Sequence, residues 1–380
     1  MKYKIIFWSP CLNKVGTLKS SIYSAISLSR YFNNKFEVSI VNSCGEWNDY
    51  LKIFEKEKIK VIDLGYNYFK YLPKEGFFFS RISYALIFII SFFPLIKNLK
   101  KNNPDFLVAN LITSLPLVIK KIFNFRLKLI LSISGHPKMN FFRFLLWKFT
   151  ENIISLVLFP TQDLKKKFAE NFFFTNNKCY YLPNAIINIR DYINQIRNKE
   201  IINFDKKFFL AVGRLTRQKN FSYLIDEFYK FSLIDKEYNL IIIGEGEDRI
   251  KLQNLINKYK IFDRVYLLGT KNNVYYYMKK AHALIVTSLW EDPGFVLVEA
   301  ALSNLFIISS DCPNGPKEFL KNGEAGYLFF SNKQNQLFNQ LLKFKNNYHS
   351  IGKMKILAKK NSIKYSLFRH GCEFNKILSD

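Results

Sequence analysis

In TSLWEDPGFVLVEAALSN, residues 287–304, Glu291 stands just before a Pro-Gly break and Glu299 lies inside an apolar, helix-like run, with Gly294 between them. A helix starting near Gly294 leaves the amides of Gly294, Phe295 and Val296 without intrahelical carbonyls, so they point at whatever lies before the helix. Glycine permits close approach there, as a phosphate requires. Earlier, AVGRLTRQKN, residues 211–220, ends a strand-like run at Gly213 and follows it with Arg214, Arg217 and Lys219 before a helical segment opens near Asn220. Cations at a helix entrance suit a diphosphate: arginine offers a bidentate fork, lysine a point charge, and free amides the remaining donors. Carboxylates beside a phosphate make sense only as acceptors for hydroxyls, such as those of a sugar and a ribose. On spacing alone, a solvated basic turn, a capping acid and an interfacial acid account for the same residues equally well.

Two further strand ends bear on the chemistry. NLIIIGEGED, residues 239–248, closes in Gly-x-Gly, but no third glycine follows at the dinucleotide-loop spacing, and Glu245 and Glu247 would repel a pyrophosphate; a tight turn feeding a helix is the expected role. RVYLLGT, residues 264–270, brings Leu268 to a strand end whose backbone can line a pocket. The chain contains no Asp-x-Asp, no His-Glu-x-x-His and no P-loop. A metal-bound diphosphate, a zinc hydrolase and a nucleoside triphosphatase are therefore disfavoured, and neither metal nor cofactor is expected.

The elements that must hold these residues follow from hydrophobic period. Short apolar runs alternate with amphipathic segments, the pattern of parallel strands joined by crossover helices. YKIIFW, FEVSIVN, KVIDL, DFLVAN, LKLILSIS and LVLFPT read as strands in the first half, with Leu18, Ile22, Ala25, Ile26 and Ser29 sharing one helix face. After residue 206 the pattern restarts with KKFFLAVG, NLIIIG, RVYLLG, HALIVTS, LFIISS and GYLFF; a helix over NFSYLIDEFYKF turns Phe221, Leu224, Ile225, Phe228 and Phe231 inward. Two α/β domains with doubly wound sheets are expected: 1–185, then a linker over 186–205, then 206–350, with a helical segment 351–380 that packs back on the first domain.

The bulk composition narrows the surroundings. With 57 Lys and Arg against 30 Asp and Glu the net charge is +27, which favours polyanionic contacts, although lysine is spread along the whole chain as an AT-biased genome would leave it. Five scattered cysteines without a C-x-x-C pair indicate a reducing compartment and no structural zinc. MKYKIIFWSPC reads as a first strand, not a signal peptide. FFFSRISYALIFIISFFPLI, residues 77–96, is nearly long enough to span a bilayer, but Arg81, Ser83, Ser91 and Pro94 interrupt it and favour a core or membrane-surface helix.

Taken together, Gly-Arg-Leu-x-x-Gln-Lys-Asn, IIGEGE, LLG and E-D-P-G-F-x-L-x-E-A, in this order and followed by SDCPNGPKEFLKNGEAGYLF over 310–330, resemble the retaining glycosyltransferases of family 4, which have the GT-B fold of two Rossmann-like domains facing a cleft. The resemblance covers the whole second domain. It implies that Arg214 and Lys219 hold the donor diphosphate and stabilise the leaving group, and that Glu291 meets the transferred sugar and Glu299 the ribose, as the two acids of an E-x7-E motif. Gly213, Leu268, Gly294, Phe295 and Val296 would line the donor site. The first domain matches less closely. SPCLNKVGTLKSS aligns with the family's glycine-rich loop but has Gly16-Thr17 where two glycines are common, and His136 in LSISGHPKMN lies near the position of an acceptor-side histidine.

The resemblance thus implies a metal-independent hexosyltransferase that moves a sugar, with retention, from a nucleotide-diphosphate donor to a glycan or lipid-linked acceptor in cell-surface polysaccharide or lipopolysaccharide synthesis. A cytoplasmic protein is expected, resting by its aromatic and basic first domain on the anionic inner face of the cytoplasmic membrane; core packing explains the same aromatics equally well. A nucleotide-sugar epimerase of the same fold is one alternative, a basic nucleic-acid-binding protein another. No recognised nucleic-acid module is present, so no nucleic-acid partner is expected.

Overall fold

The computed structural model describes residues 2–12, 16–66, 69, 71–72, 77–135, 141–171, 176–198, 206–291 and 294–379. The chain forms two compact units, Met1–Ile186 with Leu367–Asp380, and Ile187–Ser366. In the first, the order is β1 (Tyr3–Trp8), α1 (Gly16–Tyr31), β2 (Phe36–Asn42), α2 (Leu51–Lys56), β3 (Lys60–Asp63), α3 (Phe77–Asn102), β4 (Phe106–Ala109), α4 (Ser114–Phe123), β5 (Lys128–Ser132), α5 (Phe141–Thr150), β6 (Ile154–Phe159), α6 (Gln162–Asn171) and β7 (Cys179–Tyr181). The second contains α7 (Ile189–Arg197), β8 (Lys207–Val212), α8 (Phe221–Ile234), β9 (Tyr238–Ile243), α9 (Arg249–Lys258), β10 (Val265–Leu267), α10 (Val274–Lys280) and β11 (Ala283–Val286). It continues through α11 (Phe295–Leu302), β12 (Phe306–Ser310), α12 (Pro316–Phe319), β13 (Tyr327–Phe329), α13 (Gln336–Asn346) and α14 (Gly352–Ser362); α15 (Leu367–Ser379) returns to the first unit.

Both sheets are parallel, in the orders β3-β2-β1-β4-β5-β6-β7 and β10-β9-β8-β11-β12-β13. Helices cover both faces of such sheets, so their strands are buried throughout: every residue of β4, β9, β11 and β12 is inaccessible. The helix faces read from the sequence are the ones buried, Leu18, Ile22, Ala25, Ile26 and Ser29 on α1 and Phe221, Leu224, Ile225, Phe228 and Phe231 on α8. β7 was not expected, because three residues at a sheet edge carry no alternation to read. Within the stretch expected as a linker, α7 does have an apolar period, Ile189, Tyr192, Ile193 and Ile196, diluted by polar neighbours; Tyr192 packs edge-on against Tyr275 of α10 at 4.9 Å.

Buried polar groups fix helix ends. Glu227 on α8 is buried and accepts from the Asn335 and Phe338 amides at the start of α13, where the helix dipole favours negative charge, and Lys230 completes its shell at 2.6 Å. α3 crosses from β3 to β4 and turns Ser83, Ile87, Ser91, Leu95 and Leu99, a stripe at every fourth residue, inward. Among the described residues, 81–102 form the one helix long and apolar enough to cross a membrane. The buried stripe makes α3 a packed crossover helix, while Ile82, Leu86, Ile89 and Phe93 remain exposed on another face.

α15 packs on α1. Gly371 makes the approach close: a Cβ there would stand 3.1 Å from the Phe32 ring and 3.3 Å from the Ser27 carbonyl. Beside it, His370 is fully buried, with Nδ1 2.6 Å from the Pro183 carbonyl and Nε2 2.9 Å from the Ser24 hydroxyl. A carbonyl can only accept, so Nδ1 carries the proton and Nε2 accepts from Ser24. Burial holds this imidazole neutral and pushes its pKa from 6.5 down to about 4. The unfolded chain takes up the proton first, so this contribution, about 3 kcal/mol, is complete above pH 6.5 and is lost as pH falls toward 4. Glu46, raised by burial to about 7, bends the curve the opposite way in the same window. The readout is therefore a difference: subtracting the urea-unfolding free energy of His370→Gln from that of wild type should give a curve that falls with acidification, and a flat difference would remove His370 from the acid response.

Candidate functional site

In open parallel sheets ligands bind beyond the carboxyl ends of the strands, where the strand order reverses. In the second sheet that reversal lies between β8 and β11. Residues 213–220 leave β8 and residues 287–294 leave β11, so the two segments singled out for their chemistry flank one switch point.

Backbone lacing sets their positions. β8 and β9 pair in register from Lys207 opposite Tyr238 to Val212 opposite Ile243, and Gly213 and Gly244 leave the sheet side by side. The Gly213 amide donates to the Ile243 carbonyl, the Leu215 amide to Glu245, the Asp248 amide to Leu215, and the Gly244 amide to Gly269 beyond β10. A Cβ on Gly244 would fall 1.9 Å from the Gly213 carbonyl oxygen, and one on Gly246 2.4 Å from that of Leu215. The Gly-x-Gly after β9 therefore exists for contact between two loops. Glu245, expected to repel a phosphate, is paired with Arg249 at 2.8 Å.

The loop after β11 is tied to its neighbours just as closely. Leu289 donates to the Gln218 carbonyl, the Gln218 side chain returns a bond to Trp290, and the Thr287 hydroxyl donates to the Lys219 carbonyl. On the other side, the Glu291 amide donates to Pro313 and the Ser310 hydroxyl to the Ser288 carbonyl. Within this frame the Lys219 ammonium meets Glu291 Oε1 at 2.5 Å, and the Ser288 hydroxyl donates to the same oxygen at 2.5 Å. The Glu291 residue is 4% exposed and the Lys219 side chain 16%. Both donors reach Oε1, so Oε2 retains acceptor capacity, and Lys219 has two further protons to donate.

The structure thus brings Gly213, Lys219, Glu291 and Gly294 together: a Cβ on Gly213 would meet Lys219 Cε at 2.9 Å, and one on Gly294 would stand 3.6 Å from Glu291 Cγ. Gly294 has φ +90°, a conformation glycine alone adopts freely, and opens α11 with the Phe295 and Val296 amides in its first turn. Arg214 lies exposed on the same loop as Lys219. Glu299 is the fifth residue of α11, half-buried. Leu268 follows β10, its amide bonded to the Ile242 carbonyl. In the first unit Gly16 is exposed at the start of α1, while the Thr17 side chain and His136 lie outside the described residues.

The positioning hydroxyls of Thr287, Ser288 and Ser310 went unnoticed in the sequence. Their signal was small polar residues ending the apolar runs of β11, at the switch point, and of its neighbour β12, all three buried. Among the described residues no group of three or more His, Cys, Asp and Glu converges as a metal site would. Removing one member of a buried ion pair strands the other charge. Lys219→Met should therefore lower the unfolding free energy by about 3 kcal/mol, and the double replacement with Glu291→Met should recover part of that loss. Additive losses in urea denaturation would show that the two groups do not depend on each other.

Residues 193–361 match the family described as Glycosyl transferases group 1. The chain is 30% identical over 246 residues to an uncharacterized glycosyltransferase of Methanocaldococcus jannaschii, covering 60% of this chain and 61% of that protein. It is 31% identical over 199 residues to the N-acetylgalactosamine-N,N'-diacetylbacillosaminyl-diphospho-undecaprenol 4-alpha-N-acetylgalactosaminyltransferase of Campylobacter jejuni, covering 50% of this chain and 52% of that one. These alignments span half to three-fifths of the relatives' lengths. The structure of Anabaena HepE in complex with UDP superposes at a TM-score of 0.74, with 15% identity and complete coverage of both chains. Two parallel-sheet units and that full-length likeness give the chain the GT-B fold, and the match to glycosyl transferases group 1 falls on the unit that carries Lys219 and Glu291.

Proposed function

We propose that the protein is a retaining, metal-independent glycosyltransferase that moves a sugar from a nucleoside diphosphate donor to a glycan or lipid-linked acceptor in cell-surface polysaccharide synthesis. The observation that carries this reading is the buried Lys219–Glu291 pair at the switch point of the second sheet, with exposed Arg214 on one side and the amides opening α11 on the other. Arg214 and Lys219 neutralise the donor diphosphate, with the Phe295 and Val296 amides as further donors. Glu291 Oε2 accepts from the sugar hydroxyls and Glu299 from the ribose. In the transfer, the bond from the anomeric carbon to the diphosphate oxygen breaks and a bond to the acceptor oxygen forms. The acceptor proton passes to the departing phosphate. Preorganised charge aimed at the leaving group is the main catalytic contribution.

Support from relatives is indirect and concerns the class of ligand: the Campylobacter protein is named for a diphospho-undecaprenol acceptor and the Anabaena structure holds UDP. Supporting a place at the inner face of the cytoplasmic membrane are five free cysteines and an exposed surface on the first unit. There Phe93 on α3 and Phe141, Phe142 and Phe149 on α5 are exposed beside Lys97, Lys100 and Lys148.

Arg214 is exposed, so Arg214→Ala should leave the melting temperature unchanged while lowering kcat/KM for sugar transfer by about tenfold or more, a loss of about 1.4 kcal/mol of transition-state stabilisation. Transfer should persist in EDTA. Absence of both transfer and nucleoside diphosphate binding in a screen of nucleotide sugars would reject the reading. In co-sedimentation, the protein should prefer anionic over neutral vesicles, with the preference weakened by salt and by Phe142→Glu; equal recovery with both vesicle types would remove the membrane contact.

A further inference from the structure

The first sheet reverses its order between β1 and β4, and beyond the carboxyl ends of β4 and β5 lie two adjoining cavities. One, of about 540 Å³, is lined by Asn110, Thr113, Ser134 and Gly135 together with Phe142 and Trp147. Asn110 is held in place there, donating to the hydroxyls of Ser9 and Ser21 at 2.6 Å each. The other, of about 700 Å³, runs along α3 and is walled by Tyr84, Ala85, Phe88 and Ile89. Leu111, Ile112, Ser114 and Arg143 line both. The two cavities are therefore compartments of one groove, polar at the strand ends and apolar along the helix, with an arginine at the junction.

Charge and continuity narrow the occupant. Arg143 is the one charged side chain among the described residues lining either compartment. A glycan alone would find no hydrogen-bonding side chain on Ala85, Phe88 or Ile89 and would leave that apolar surface in contact with water. A hydrocarbon alone would bury the Thr113 and Ser134 hydroxyls of the other compartment without partners. Ile89, 65% exposed, belongs both to the apolar wall and to the exposed stripe Ile82, Leu86, Ile89 and Phe93, so this compartment opens onto further apolar surface.

We propose that this groove is the acceptor site and takes an amphiphile, with a hydroxyl-rich head beside Asn110, Thr113 and Ser134, a phosphate at Arg143, and a hydrocarbon chain along Tyr84, Phe88 and Ile89. The proposal rests on the glycosyltransferase reading and narrows its acceptor to a lipid-linked phosphate. Arginine suits that junction, because its planar fork binds phosphate oxygens in pairs and stacks on aromatic faces.

The test uses the full-length protein in zwitterionic detergent, with a fluorescent polyprenyl phosphate as probe and anisotropy as readout. Saturable binding is expected, weakened about tenfold or more by Arg143→Gln and separately by Ile89→Glu, both at exposed positions. Unlabelled polyprenyl phosphate should displace the probe at least about tenfold better than polyprenol, a soluble sugar 1-phosphate or phosphatidylglycerol. Probe binding that neither variant weakens overturns the proposal. So does a sugar phosphate that competes as well as the amphiphile, which would indicate a head-group site, or phosphatidylglycerol that does so, which would indicate a general lipid surface. Binding of uridine, guanosine, adenosine, cytidine and thymidine diphosphates by wild type is measured in parallel: if one of them binds while the amphiphile does not, the groove assignment fails and the donor reading stands, whereas absence of binding by all of them removes the donor reading.

Discussion

The second unit is organised around one demand, that a lysine and a glutamate be kept together with little water at the end of a parallel sheet. An ion pair in such a place is stable only if its geometry is held from outside, because each charge loses hydration that the other must replace. Lys219 and Glu291 come from loops far apart in the chain, so the sheet order has to bring them into reach. β8 and β11 are neighbours, and the Gln218, Thr287 and Ser310 bonds remove the remaining freedom. The same frame sets the start of α11, since Gly294 at φ +90° turns the chain from Glu291 into the helix. A ligand with both phosphates and hydroxyls finds the two complementary charges already oriented, with little ordering left to do on binding.

How much of this was legible depends on whether chemistry or packing chose each residue. Lys219, Glu291, Gly213 and Gly294 are distinctive types at strand ends, and the structure places them in one cluster. The strands that carry them were legible as well, because strands buried on both faces are continuous apolar runs such as YNLIII. Ser288 was not legible: a serine after a strand is ordinary, and only the fold reveals that its hydroxyl meets Glu291. The Gly-x-Gly at 244 and 246 shows the opposite error available to a motif reader. Its spacing hints at a nucleotide loop, yet a Cβ at either position would strike a carbonyl of the neighbouring loop, so backbone contact is sufficient reason for both glycines.

α3 was ambiguous for a related reason. Composition counts apolar residues without saying which way they face, and a helix that lends one stripe to a sheet and another to its surroundings is as hydrophobic as a membrane span. Ser83 and Ser91 read as polar interruptions of a membrane span, and both lie on the buried stripe, where small side chains admit close packing. The exposed stripe is instead wholly apolar. Of the four interruptions that favour a core or membrane-surface helix over a span, Ser83 and Ser91 face inward while Arg81 is exposed, and the buried stripe bears out the core packing.

The ligands proposed for the two units would constrain sequence to different degrees. A diphosphate is small, rigid and always charged, so a site for it requires cations and glycines at definite positions, and these stand out in a sequence. A hydrocarbon chain requires only apolar walls, and Tyr84, Phe88 and Ile89 resemble any other helix residues until the fold leaves space beside them. Arg143 is equally inconspicuous in a chain with 57 Lys and Arg. It becomes informative through position alone, at the boundary between a polar and an apolar compartment, because an anion joining a glycan to a lipid has the same order of chemistry along its length.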